Sequence, residues 1–171
     1  VIDKVYLPAL FFDRDGVINI DTGYVYQREI FVWVDGAIDA IRVAKKAGYL
    51  VFVVTNQSGV ARGYFTEQHV KDLHEWMNQT LRQHGTLIDQ FYYCPHHPDG
   101  ILYEYAISCN CRKPLPGMIL RAVTEWQVDT GRSFLVGDKE SDMEAAVNAG
   151  IRGLLFRGSD LYSFIVDNLR A

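Results

Sequence analysis

Apolar and polar positions fall into two kinds of block along this chain. Short, nearly continuous apolar runs recur at residues 6–12, 49–54, 87–93, 133–136 and 151–156. Runs of that length, rich in Phe, Tyr, Val and Ile, predict strands covered on both faces. Between them the apolar spacing turns helical. Ile38, Ile41 and Ala44 mark a helix over Ala37–Ala47, with Gly48 as its stop. Thr66 is the expected N-cap of a second helix, with Val70, Leu73, Met77 and Leu81 on one stripe. Pro116 opens a third over Gly117–Gln127, and Gly150 closes a fourth over Ser141–Ala149. Leu161–Leu169 forms the last. Residues 17–35 break this rhythm with a polar-aromatic excursion whose β-branched content predicts a short hairpin. Alternating strands and helices predict an α/β fold: a three-layer α/β/α sandwich around a mostly parallel sheet. The whole chain, residues 1–171, reads as one domain without an insertion large enough for a cap.

Four of the runs end in reactive-looking clusters: Asp13 with Asp15, Thr55-Asn56, the Cys94 region, and Gly137-Asp138. In a parallel sheet all four endings share the carboxyl edge, where open α/β folds collect ligands. Asp13 and Asp15, one residue apart, repel each other unless a cation or a shared proton intervenes. With Asp138 they offer a few hard oxygens, the donor set of Mg²⁺ shared with a substrate phosphate. A phosphate monoester repels a carboxylate nucleophile until cations neutralise it, and Lys113 and Lys139 are the candidates. Thr55 and the amides after it can donate to phosphate oxygens, with Gly59 and Gly63 letting that loop turn closely.

Composition narrows the partners. A formal net charge of -4 argues against a nucleic-acid backbone, and no apolar run reaches the length of a membrane span. The start Val1-Ile2-Asp3-Lys4 lacks the basic-then-apolar pattern of a signal peptide. All three cysteines fall within residues 94–111, leaving none elsewhere for a disulfide framework. The expectation is a monomer in a reducing cytoplasm. Cys94, Cys109 and Cys111, with His96 or His97, can close a tetrahedral zinc site with no open position, hence a structural one.

Asp13-Arg14-Asp15-Gly16-Val17, Val54-Thr55-Asn56-Gln57, Arg112-Lys113-Pro114, and Val136-Gly137-Asp138-Lys139 with Asp142 resemble the four ordered motifs of the haloacid dehalogenase (HAD) superfamily of phosphatases. The resemblance spans residues 6–156. It implies a Rossmann-like fold and an aspartyl-phosphate intermediate on Asp13. It implies Asp15 as proton donor and later base, and Thr55 and Lys113 as stabilisers of the phosphoryl group. Mg²⁺ would sit on Asp13, the Asp15 carbonyl and Asp138, while Asp142 would orient Lys113 or a metal-bound water. Arg14 would point away from the site in a structural role. For zinc, the family pattern selects His96 beside Cys94, Cys109 and Cys111.

A zinc loop narrows the resemblance to heptose-1,7-bisphosphate 7-phosphatases and histidinol-phosphate phosphatases. Twelve residues between His96 and Cys109 are similar to the heptose group, whose loop is the longer. Asp21-Thr22-Gly23-Tyr24 and the stretch from Thr55 to Gly63 also resemble that group, except that Thr22 replaces its usual His. The expected substrate is then a phosphorylated sugar. Asp21, Thr22, Gly23, Tyr24, Asn56, Gln57, Ser58, Arg112 and Lys139 would contact it, Arg112 at its second phosphate. Zinc would present Arg112 and Lys113 to the phosphate. Histidinol phosphate hydrolysis is the alternative substrate reading, and a noncatalytic zinc-stabilised binding module the alternative from another class. His69, His74 and His84, and Trp33, Trp76 and Trp126, read as surface or packing residues.

Overall fold

The computed structural model describes residues 5–170. Residues 1–4, on which the expectation about a signal peptide rested, lie outside that range. Five strands, β1 (Ala9–Phe12), β2 (Leu50–Asn56), β3 (Gln90–Cys94), β4 (Phe134–Gly137) and β5 (Arg152–Leu155), form one sheet of order β3-β2-β1-β4-β5. Every pairing is parallel. The helices are α1 (Ala37–Lys46), α2 (Glu67–Gln83), α3 (Gly117–Trp126), α4 (Glu140–Asn148) and α5 (Leu161–Leu169).

The strand pleat sorts alternate residues into two cores. Leu10, Phe12, Val51, Val53, Phe134 and Val136 pack with the apolar stripes of α1, α2 and α5. Phe11, Phe52, Val54, Leu135 and Tyr92 face α3 and α4 on the opposite side. Helices on both faces explain why the strands read as continuous apolar runs. No helix among the described residues is long and apolar enough to cross a membrane.

Local chemistry trims several predicted boundaries. The first strand begins at Ala9, not Tyr6, because Pro8 brings no N–H to the ladder; Leu7 makes only a lone bridge to Val128. The third begins at Gln90 because Ile88 is held by the Asn78 amide, which bonds both its N–H and its carbonyl. Ser133 stays outside β4 because its hydroxyl accepts from Ala9 N and donates to the Asp129 carbonyl. Thr66 caps α2 as expected, with His69 completing the reciprocal bond.

The hairpin expected over residues 17–35 shrinks to one antiparallel bridge, Asn19 to Trp33, with a 3-10 turn at Arg28–Ile30. Its middle cannot ladder because Val25 and Phe31 turn inward to the core. Phe31, Trp33 and Trp76 pack there edge-on or tilted as a cluster with centroids 4.9–6.3 Å apart.

Candidate active site

Register carries the reactive residues to one edge. Phe12 pairs with Val53 and Val136, so Asp13 emerges between the ends of β2 and β4. Asn56 pairs with Cys94, which sets the cysteine cluster beside the second strand's end. Asp13 N donates to the Val136 carbonyl at 2.9 Å, holding this corner on the sheet.

Lys113 arrives from the distant loop before α3 and is 4% exposed. Its Nζ donates to Asp13 Oδ1 at 2.8 Å and to Asp142 Oδ1 at 2.6 Å. Asp142 Oδ2 accepts from the backbone N–H groups of Asp138 and Lys139, capping α4 while its other oxygen orients the lysine. Asn56 fixes the lysine's backbone: its Oδ1 accepts from Lys113 N, and its Nδ2 donates to the Lys113 carbonyl.

Carboxylate oxygens of Asp13, Asp138 and Asp142 lie within 4.8 Å of one another. Burial pushes the Asp13 carboxyl up to about 7, with Asp142 adding to the rise and Lys113 opposing it. Asp138 is raised chiefly by burial, then by Asp142. Lys113 stays above its ordinary range because Asp13 and Asp142 outweigh its burial. Two ammonium groups, Lys113 and the neighbouring Lys139, do not neutralise three carboxylates, and Asp138 Oδ1 is buried with no hydrogen-bond partner. An orphaned oxygen in an all-oxygen, under-compensated cluster fits a hard divalent cation. Gly16 makes room for the Asp138 side chain: at φ +90° a Cβ would collide with its carboxylate.

The Asp15 carboxylate lies outside that cluster, held by other donors. It accepts from Arg14, from Asn19 Nδ2 at 3.0 Å and from Gln57 Nε2 at 3.0 Å. Burial would raise its carboxyl, but Arg14 and these amides hold it below the usual range. Gln57 also donates to the Thr55 hydroxyl at 2.9 Å.

Three residues read from the sequence have partners here that the sequence did not give. Asn56 and Gln57, expected as substrate contacts, bond instead within the protein here: Asn56 to the Lys113 backbone, and Gln57 Nε2 to Asp15 and Thr55. Arg14, read as pointing away, binds the Asp15 carboxylate. Sequence reasoning missed Asn19, although a polar residue between Ile18 and Ile20 in an apolar stretch was a usable signal.

At the rim, Asp21 accepts from Gly23 N and lies 3.8 Å from Lys139 Nζ. Tyr24 packs edge-on against Tyr64, centroids 4.8 Å apart. Thr22 and Gly23 are exposed, and Ser58 and Arg112 half-buried. In the neighbouring cluster, His96 Nδ1 lies 3.7 Å from Cys94 Sγ and 3.4 Å from Cys111 Sγ. Cys109 Sγ is 3.6 Å from Cys94 Sγ, and all four ligand atoms lie within 4.8 Å of one another. His97 faces outward, toward Arg62 and Asp99 N. Three sulfurs and a nitrogen converging tetrahedrally in number suit zinc. Tyr93 and Tyr105 both donate to Glu67, tying this loop to the start of α2.

A buried Asp–Lys–Asp arrangement on the carboxyl edge of this sheet defines a HAD-like hydrolase. Residues 110–159 match the HAD-hydrolase-like family model. A D-glycero-beta-D-manno-heptose-1,7-bisphosphate 7-phosphatase of Yersinia pestis is 50% identical over 85% of this chain and 77% of its own length. One from Rhodopseudomonas palustris is 51% identical over 92% and 88%. The crystal structure of D,D-heptose 1,7-bisphosphate phosphatase from B. bronchiseptica with magnesium and phosphate is similar at TM-score 0.80, 32% identity, over 95% and 87%. The chain belongs to the D-glycero-beta-D-manno-heptose-1,7-bisphosphate 7-phosphatase family of HAD-like hydrolases.

Proposed function

We propose that this protein hydrolyses the 7-phosphate of D-glycero-beta-D-manno-heptose 1,7-bisphosphate through an aspartyl-phosphate on Asp13. The observation that carries the reading is the Lys113 ammonium locked between Asp13 and Asp142. It keeps a buried carboxylate usable as a nucleophile and places positive charge where phosphoryl oxygens must sit.

An Asp13 oxygen forms a bond to phosphorus as the ester oxygen leaves; Asp15, ionised beside Arg14 in the free protein, takes a proton from solvent as the dianionic substrate binds and gives it to the departing sugar oxygen. Asp15, now a carboxylate, takes a proton from water, whose oxygen attacks phosphorus and frees Asp13 and inorganic phosphate. Lys113 and the Thr55 hydroxyl hold the phosphoryl oxygens through both steps. Asp13, Asp138 and the Asp15 carbonyl would hold Mg²⁺, which neutralises phosphate charge when bound. Cys94, His96, Cys109 and Cys111 would hold a structural Zn²⁺. Three thiols serving as ligands fit a reducing cytoplasm. Arg112, Lys139 and the 21–24 loop would meet the sugar and its second phosphate.

The test is phosphate release with Mg²⁺ from heptose 1,7-bisphosphate beside histidinol phosphate. Preference for the heptose, abolished by Asp13→Asn, is expected. Equal or better turnover of histidinol phosphate overturns the substrate, and an active Asp13→Asn overturns the nucleophile.

A further inference from the structure

Arg14 is the largest fully buried side chain among the described residues and carries a permanent charge. Burying a guanidinium is costly unless its nitrogens find partners. Here each nitrogen has one. Nη2 donates to both Asp15 oxygens at 3.1 Å, and Nε reaches Oδ1 at 3.4 Å. Nη2 also meets the Val25 carbonyl. Nη1 points to His74 Nε2 at 3.2 Å. A guanidinium only donates, so Nε2 of His74 is the acceptor and the ring is neutral. The ring is itself buried, stacked on Phe91 with centroids 4.4 Å apart. A line of fixed contacts thus runs from β3 through α2 to the Asp15 carboxylate.

We propose that Arg14, braced by His74, is a positioning residue that aims Asp15 at the leaving-group oxygen. The inference rests on the reading of Asp15 as the proton donor. A general acid contributes only when held within hydrogen-bond reach of the atom it protonates. A carboxylate on a single-bonded side chain would rotate freely without its fork, whereas planar Nε and Nη2 donors set the plane in which both oxygens lie. The Val25 contact ties the same fork to the loop that leads to Asp21 and Tyr24.

The test uses substituted phenyl phosphates, alike in shape but graded in the acidity of the phenol released. kcat/KM reports the steps through release of that phenol. Electron-poor phenols leave without a proton, and unsubstituted phenol needs one. Arg14→Gln should lower kcat/KM for phenyl phosphate about 10-fold or more beyond its effect on p-nitrophenyl phosphate, since general acids contribute about 10²–10⁴-fold. Arg14→Lys, a point charge without the fork, should fall between. Should Arg14→Gln fail to fold, His74→Phe keeps the stacking but removes the acceptor, and should show the same graded loss. His74→Gln, which restores an acceptor, should recover much of it. Equal losses across the phenol series in these variants would make Arg14 merely structural and overturn the proposal. Asp15→Asn separates the two readings. If it shows the graded loss and the Arg14 and His74 variants do not, only the positioning role fails; if it loses all substrates alike, the acid assignment fails.

Discussion

Replacing Lys113 by Met removes the charge between two buried carboxylates while keeping the side chain's volume. Lys113, Asp13 and Asp142 are 4%, 5% and 1% exposed, and the two ion pairs measure 2.8 and 2.6 Å, so water cannot take over the lost contacts. Breaking a buried pair by deleting one partner costs about 3–5 kcal/mol, and at about 2–4 °C per kcal/mol for a chain of this size Tm should fall by about 10 °C. The cost depends on pH. Burial and Asp142 already raise Asp13 to about 7 from 3.8, and losing Lys113 removes the opposing influence. A carboxyl with a raised folded-state pKa stabilises the fold below its unfolded value and loses that contribution as pH rises through the folded one. The variant's deficit relative to the parent should therefore be smaller at pH 5 than at pH 8 and grow as Asp13 ionises without its cation. Lys113→Met with Asp142→Asn removes one stranded carboxylate, so it should regain stability without activity, which the missing phosphate cation keeps about 10²–10³-fold down. Thermal unfolding across pH, beside phosphate release, measures both. A variant with unchanged Tm at pH 8 would show that the ion pairs do not hold this corner together, and full activity would remove Lys113 from the chemistry.

Without added Mg²⁺ the parent protein should lose stability between about pH 4 and 7 as Asp13 ionises, because the folded state binds that proton more tightly than the unfolded chain. The Tm gain on adding Mg²⁺ should grow over the same interval, and a gain independent of pH would contradict the carboxylate assignment. Gly16→Ala forces a Cβ toward Asp138 at a positive φ; it should abolish Mg²⁺-dependent turnover while lowering Tm only moderately, read by activity against Mg²⁺ concentration and by calorimetry. Cys109→Ser should release bound zinc, lower Tm and reduce turnover of p-nitrophenyl phosphate as well as of sugar phosphates, because the loop it clamps runs into Lys113. Metal analysis alongside kinetics checks this, and a zinc-free protein with full turnover would refute it.

Much of this was legible in the residues alone. Apolar runs ending in Asp13, Thr55 and Asp138 dictate where strands stop, and parallel register then has few ways to arrange those ends except side by side. The cysteine–histidine set is similarly local, since its four members lie within eighteen residues. Contacts between residues remote in sequence required the tertiary structure. That Lys113 bonds Asp13 across a hundred positions, that Asn56 bonds Lys113 and Gln57 bonds Asp15, and that His74 meets Arg14 all depend on packing α2 and the α3 loop onto the sheet edge. Periodicity says which face of an element is apolar. It does not say where a buried amide or guanidinium finds its partner, because that depends on distances of a few ångströms between elements that the chain specifies only once folded.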